Sequence, residues 1–227
     1  MTYSSHVEPI CSRQGEYAIL CDLGVPGAST ADIALQQKVW AMSAHFSARE
    51  DVLEVVPGMN NLLIIFRDIQ HDFEACQATI HGAWKAASAL ATNGRQISVP
   101  VVYGGPGGED LDQVAQHARL TREAYIKLHS QATYVVYALG SQPGFAYLGG
   151  LDPRLAVPRR DVPRPRVQAG SVIIGGSQAS ILSRTTPSGW HIIGQTAVNC
   201  FDHTNTDQPT LFMPGDTVRF TVQEILP

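Results

Sequence analysis

The helical spacing of apolar residues stops at Ser130, and this switch constrains the fold more than any other feature of the chain. Upstream, Leu35, Val39, Met42 and Phe46 recur at spacings of four, three and four, which puts them on one face of a helix over 31–46. Ser29 or Thr30 is placed to cap its free N–H groups. Phe73, Cys76, Ile80, Trp84 and Ala87 form the stripe of a second helix, 72–90. Shorter helices are expected at 110–118 and 122–130, the latter capped by Thr121 with Leu120 and Tyr125 spaced as a hydrophobic staple. Downstream, "ATYVVYAL", "GSVIIGG", "QASILS", "GWHIIGQ" and "DTVRFTVQ" are short β runs between Gly, Pro, Asn and Asp clusters. That is the pattern of a closed barrel or sandwich.

The upstream strands are "YAILCDL" (17–23), a hairpin of "DVLEVV" and "NLLIIF" around "PGMN", and "RQISVPVVYG" (95–104). The order strand, helix, strand, strand, helix, strand is the split βαβ pattern of a ferredoxin-like domain. The last of these strands can instead open a second domain, because the break "ATNG" lies just before it. An α+β chain of 227 residues in two domains, 1–95 and 96–227, is therefore expected.

With 44% hydrophobic and 16% charged residues the chain is globular in composition, not disordered. A net charge of -4 supplies no basic field for nucleic acid or anionic lipid. No 18-residue apolar stretch and no charged-then-apolar start occur, which predicts a cytoplasmic protein without a membrane partner. Cysteines at 11, 21, 76 and 200 show no CxxC pairing, so neither zinc nor disulfides are expected.

"GGPGGED" (104–110) resembles a phosphate loop only superficially: the closing Lys and Ser/Thr are absent, and Glu109 and Asp110 would repel phosphate. Its glycines read as a strand-to-helix turn. His129, closing a helix, suits either a general base or an interaction with the helix C-terminus. From 153 to 166, Arg154, Arg159, Arg160, Arg164 and Arg166 ride among Pro153, Pro158, Pro163 and Pro165. Proline stiffens such a loop, so its guanidinium forks are presented to carboxylate or phosphate at reduced entropic cost. The plainer reading is a rigid crossover whose arginines pair with nearby acids. Neither a GxSxG elbow nor an HExxH pair occurs.

The stretch "HSQATYVVYALGSQPGFAYLGGLDPRLAVPRRDVPRPRVQAGSVIIGGSQ", with "TPSGWHIIGQT", "PGDTVRF", "PGMNN" and "VPVVYGGPGGEDL", resembles the allophanate hydrolase subunit 1, or KipI, family. Within it the likeness is to the subunit-B-type component of bacterial ATP-dependent 5-oxoprolinase. The resemblance implies a ferredoxin-like domain followed by a cyclophilin-like β-barrel. It also implies one subunit of an ATP-hydrolysing enzyme that opens 5-oxo-L-proline to L-glutamate. The implied partners are a subunit-C-type (KipA family) protein and a subunit-A-type (LamB/YcsF family) protein. ATP is the implied cofactor, with or without Mg, held by this chain or shared with a partner.

Shielding an activated lactam calls for fixed cations, an amide-recognising side chain and an apolar lid. By residue type and place in these motifs, Arg159, Arg160 and Arg166 are expected to supply cations, Gln178 the amide contact, and Phe145, Tyr147 and Trp190 the lid. His129 is added as a candidate base, and Gln195 and Thr196 as substrate contacts; no metal ligands are expected. The chain departs from the family pattern at Ser141, Ala146, Ala179, Ser180, Leu182, Ser183, Ser188 and Gln195. These departures open the alternative of a paralogue acting on another small lactam or amide. Regulation of a sensor histidine kinase by contact is the other alternative, and prolyl isomerisation follows from the implied barrel alone.

Overall fold

The computed structural model describes residues 8–23, 32–88 and 94–227. The chain divides into two compact units, Met1–Thr92 and Asn93–Pro227.

In the first unit the elements run β1 (Ile10–Gln14), β2 (Ala18–Asp22), α1 (Ile33–Ser47), β3 (Val52–Pro57), β4 (Asn61–Phe66) and α2 (Phe73–Ala86). They form an antiparallel sheet of order β1-β2-β4-β3. Ile19, Cys21, Val39, Phe46, Ile64 and Trp84 fill its core, so the helical stripes face the sheet as their spacing requires. Asp32 caps α1, its carboxylate accepting from the N–H of Ala34 at 2.8 Å; the expected caps Ser29 and Thr30 lie outside the described residues. Buried Gln36 ties α1 to the hairpin turn, donating to Gly58 O at 3.0 Å and accepting from Asn60 N at 2.9 Å.

The strand after α2 does not join this sheet. β1, a mostly polar strand that carries little apolar pattern, occupies the edge beside β2. The strand at 95–104 is drawn elsewhere because Val99, Val101 and Tyr103 point into the second core.

In the second unit that strand is β5 (Gln96–Tyr103), followed by α3 (Leu111–His117), α4 (Arg122–Gln131), β6 (Tyr134–Leu139) and β7 (Ala146–Gly149). Then come β8 (Arg164–Val167), β9 (Ser171–Gly175), β10 (Gln178–Ile181), β11 (Thr186–Ser188), β12 (His191–Gln195) and β13 (Thr217–Ile225). Seven strands close a barrel of order β10-β7-β6-β13-β5-β12-β9, sealed by β9 against β10. Among the described strands only the β5–β13 pairing is parallel. β8 and β11 form a separate two-stranded ribbon. The chain is thus α+β with a closed barrel, one of the two architectures that the β runs after Ser130 allow. Among the described residues no helix is long and apolar enough to cross a membrane.

α4 carries His129 into the barrel core. Its ring is fully buried, 2.7 Å from the Tyr103 hydroxyl through Nδ1 and 4.5 Å centroid to centroid from Phe220. Burial pushes its pKa down to about 3. The folded state therefore holds it neutral while the unfolded chain protonates it below its ordinary value of 6.5. Its contribution is complete above that value and drains away as pH falls toward 3. Unfolding free energies from urea titrations between pH 7 and pH 4.5 are expected to fall by about 1.4 kcal/mol per pH unit below pH 6 on account of this group, and His129→Gln to flatten that slope. An unchanged slope in the variant would remove His129 as its cause.

Candidate functional site

The Gly-rich turn positions an acid. Gly104 adopts φ 75°, and the main chain at Gly108 runs so close to β12 that a Cβ there would meet Ile193 O at 2.6 Å. The turn is a short 3-10 piece at Gly105–Gly107, and Asp110 N donates to Ile192 O at 3.0 Å. Asp110 is thereby held against the outside of β12. The ladder between β12 and β9 slips register between Ile192 and Gly194, and the Ile192 N–H donates to Asp110 Oδ2 at 2.8 Å.

The Asp110 carboxylate gathers the Pro/Arg segment. Arg164 binds it through two N–H···O bonds of 2.8 Å each, and Arg160 Nη1 lies 3.2 Å from Oδ1. Glu109 takes the remaining side of Arg164 at 3.1 Å. Burial alone would raise the Asp110 carboxyl; the Arg164 fork, the Ile192 N–H and the Arg160 charge outweigh it and hold the pKa below the usual carboxylate value. Backbone bonds finish the anchoring: Arg160 N to Gly189 O at 2.8 Å, and a two-way Val157–Gly176 bridge. His191 Nε2 adds a contact to Pro158 O at 2.9 Å.

This anchored segment encloses a second apolar cluster on the outer face of the barrel wall. Along β9, Val172 and Ile174 point into the barrel, whereas Ile173 points outward to meet Phe145, Val167, Leu182, Trp190 and Ile192. Phe145 stands edge-on to both Tyr147 (5.1 Å) and Trp190 (6.1 Å). Above the cluster opens a cavity of about 550 Å³, within the range of small-molecule sites. Its rim carries Arg159, Arg160, Arg184, Gln142, Ser141 and Ser188.

Five of the ten expected site residues meet here: Arg159, Arg160, Phe145, Tyr147 and Trp190. The aromatics are floor and wall instead of lid, since Phe145 is only 5% and Trp190 only 7% exposed. Arg159 is exposed and lies over the Trp190 ring at 5.6 Å. The other five are elsewhere. His129 sits inside the barrel. Arg166 projects outward from β8, Gln178 begins β10, and neither lines the cavity. Gln195 donates to Ala169 O at 2.7 Å and accepts from Ser171 Oγ at 3.2 Å, holding the turn before β9. Thr196 is buried and accepts from Val198 N. Sequence reasoning missed Arg184 and Gln142. Gln142 lies inside the aromatic motif, and its Oε1 is buried without a partner.

The region 9–212 matches the family model for the carboxyltransferase domain, subdomain C and D. The chain belongs to this family. The carboxyltransferase-family match includes every residue that lines the cavity. The chain is 43% identical to the 5-oxoprolinase B subunit of Haemophilus influenzae over 92% of its length and 96% of that protein. It is 41% identical to the 5-oxoprolinase B subunit of Escherichia coli O157:H7 over 94% of its length and 96% of that protein. Among solved structures, TTHA0988 superposes with a TM-score of 0.74 at 30% identity, covering 92% of this chain. This chain spans 40% of TTHA0988.

Removing the Asp110 charge leaves Arg160 without an acid and Arg164 with Glu109 alone. Asp110→Asn is expected to cost about 3 kcal/mol of stability, read as a lower urea midpoint. A midpoint within experimental error of the parent would show that the clasp does not hold the segment.

Proposed function

We propose that the protein is the subunit-B-type component of an ATP-dependent 5-oxoprolinase, and that the cavity above Phe145 and Trp190 takes the lactam. The observation that carries this reading is the pairing of cations without acid partners and an amide side chain over an aromatic floor. Arg160 and Arg164 are balanced by Asp110 and Glu109, but among the described residues Arg159 and Arg184 have no ion pair. The cavity therefore carries an excess of about two positive charges, suited to carboxylate or phosphate oxygens. Gln142 offers a buried carbonyl oxygen without a partner, which an amide N–H satisfies. The apolar floor accepts ring methylenes and sheds water.

A five-membered lactam bearing a carboxylate presents all three features. In this reading Arg159 and Arg184 hold the carboxylate, Gln142 accepts from the lactam N–H, and the aromatic floor orients the ring. Arg160, fixed by Asp110, stabilises negative charge that builds on the amide oxygen. ATP, when bound in the complex, supplies the phosphoryl group that activates that oxygen, and the guanidiniums are the groups of this chain suited to its phosphates. We read the first unit as ferredoxin-like and the barrel as cyclophilin-like. The partners are subunit-A-type and subunit-C-type proteins, and the complex works in the cytoplasm. A concave, charged cavity favours a small ligand over the flat contact that inhibition of a kinase needs.

Mixed with its subunit-A-type and subunit-C-type partners, the protein is expected to release ADP in a manner that depends on 5-oxo-L-proline. Arg159→Ala and Arg184→Ala are each expected to lower that turnover roughly 100-fold or more without moving the urea midpoint. An assembled complex that turns over no lactam would overturn the substrate assignment; near-normal variants would move the site elsewhere.

A further inference from the structure

The first unit contains a second reactive cluster, independent of the cavity. β1 and β2 pair in a register that sets Cys11 directly opposite Cys21. Opposed residues of an antiparallel pair lie with Cα atoms about 4.5–5.5 Å apart, inside the roughly 4.4–6.8 Å that a disulfide spans. Both side chains take the same face: Cys21 is in the core at 1% exposure, and half-buried Cys11 packs on the edge of that core. His81 of α2 stands beside Cys11, its Nε2 2.9 Å from Pro9 O and its Nδ1 3.7 Å from a Glu8 carboxylate oxygen. Both thiols are free.

We propose that Cys11 and Cys21 form a cross-strand disulfide driven by hydroperoxide, Cys11 being the attacking and Cys21 the resolving residue. The Cys11 thiolate attacks the terminal, hydroxyl-bearing oxygen of the hydroperoxide, the O–O bond breaks, and the other oxygen leaves as alkoxide, or as hydroxide when the oxidant is hydrogen peroxide, giving Cys11 sulfenic acid. Cys21 sulfur then displaces the sulfenic oxygen, which departs as water with the Cys21 proton. Two thiol groups lose two electrons, and the peroxide gains them.

The assignment of roles follows the surroundings. A hydrogen bond from Cys21 is the main influence holding the Cys11 thiol down to about 7 against burial, and the neighbouring His81 adds to it. Cys21 is raised by the same contact and by burial, so it remains a thiol until the sulfenic acid forms beside it. The other cysteines lack this arrangement. Burial pushes Cys200 up to about 12, and Cys76 is also raised by burial, its Sγ donating to Gln70 Oε1 at 3.1 Å.

The test is peroxide treatment of the whole protein, unfolding without reductant, alkylation with N-ethylmaleimide and mass spectrometry. Before peroxide all four cysteines are expected to alkylate; afterwards two resist, and a peptide carrying position 11 is joined to one carrying position 21. Cys21→Ser is expected to stop at a sulfenic acid that dimedone traps at position 11, and Cys11→Ser to alkylate at all its remaining thiols. Full alkylation of the parent after peroxide, a bridge to Cys76 or Cys200, or dimedone trapped on Cys21 would overturn the proposal.

Discussion

The cavity exists because one buried carboxylate is shared among groups from distant parts of the chain. Asp110 lies outside the barrel wall, yet it satisfies a backbone N–H of β12 and binds two arginines some fifty residues downstream. A charged carboxylate at 3% exposure is costly unless it is fully paired, and the bidentate Arg164 fork with the Ile192 N–H provides that pairing. The consequence is geometric. A segment with four prolines between 153 and 165, which neither continues a helix nor joins a barrel ladder, is fixed by the Asp110 clasp together with a few backbone bonds, those of Val157 with Gly176 and of Arg160 with Gly189.

That fixing explains why the barrel has two apolar layers. A strand of a closed barrel alternates inward and outward residues, and outward positions are usually polar. β9 is instead buried at all five positions, because the clasped segment and the β8–β11 ribbon cover its outer face. Ile173 and its aromatic neighbours then form a floor outside the barrel, with guanidinium groups at its rim. The same covering removes Arg160 and Arg164 from free solution, while Arg159 and Arg184 at the rim have no ion pair among the described residues. Paired and unpaired guanidiniums thus stand side by side and differ in whether an acid reaches them.

Local patterning makes the elements legible. The spacing of Leu35, Val39, Met42 and Phe46 marks α1, and the β runs after Ser130 mark the barrel. β1 is not legible, since a polar edge strand such as "ICSRQ" has almost no apolar alternation to detect. The aromatic motif and Arg159–Arg160 are legible by their composition. The role of Asp110 is not: within its own motif it is only an acid that spoils a phosphate loop, and its partners lie far along the chain, where one sequence gives no spacing rule. His129 and Gln195 mislead for the opposite reason. Both have the chemistry of a site, but tertiary packing consumes it, one in the barrel core and one in a turn.

The departures from the family pattern separate into two groups once placed. Ala179 and Ser180 are buried in β10, where the Ser180 hydroxyl donates to the main-chain O of Ala146 at 2.6 Å, so its polarity is satisfied within the wall. Gln195 replaces a cation, but its amide is engaged in the turn before β9 and lies outside the cavity, so the cavity has lost no charge there. Ser141, Leu182 and Ser188 do line it. Ser141 holds a left-handed backbone at φ 62° next to Gln142, and Leu182 contributes an apolar surface without a hydroxyl. At these three positions the departures change the shape and polarity of the cavity lining without removing any of the guanidiniums at its rim.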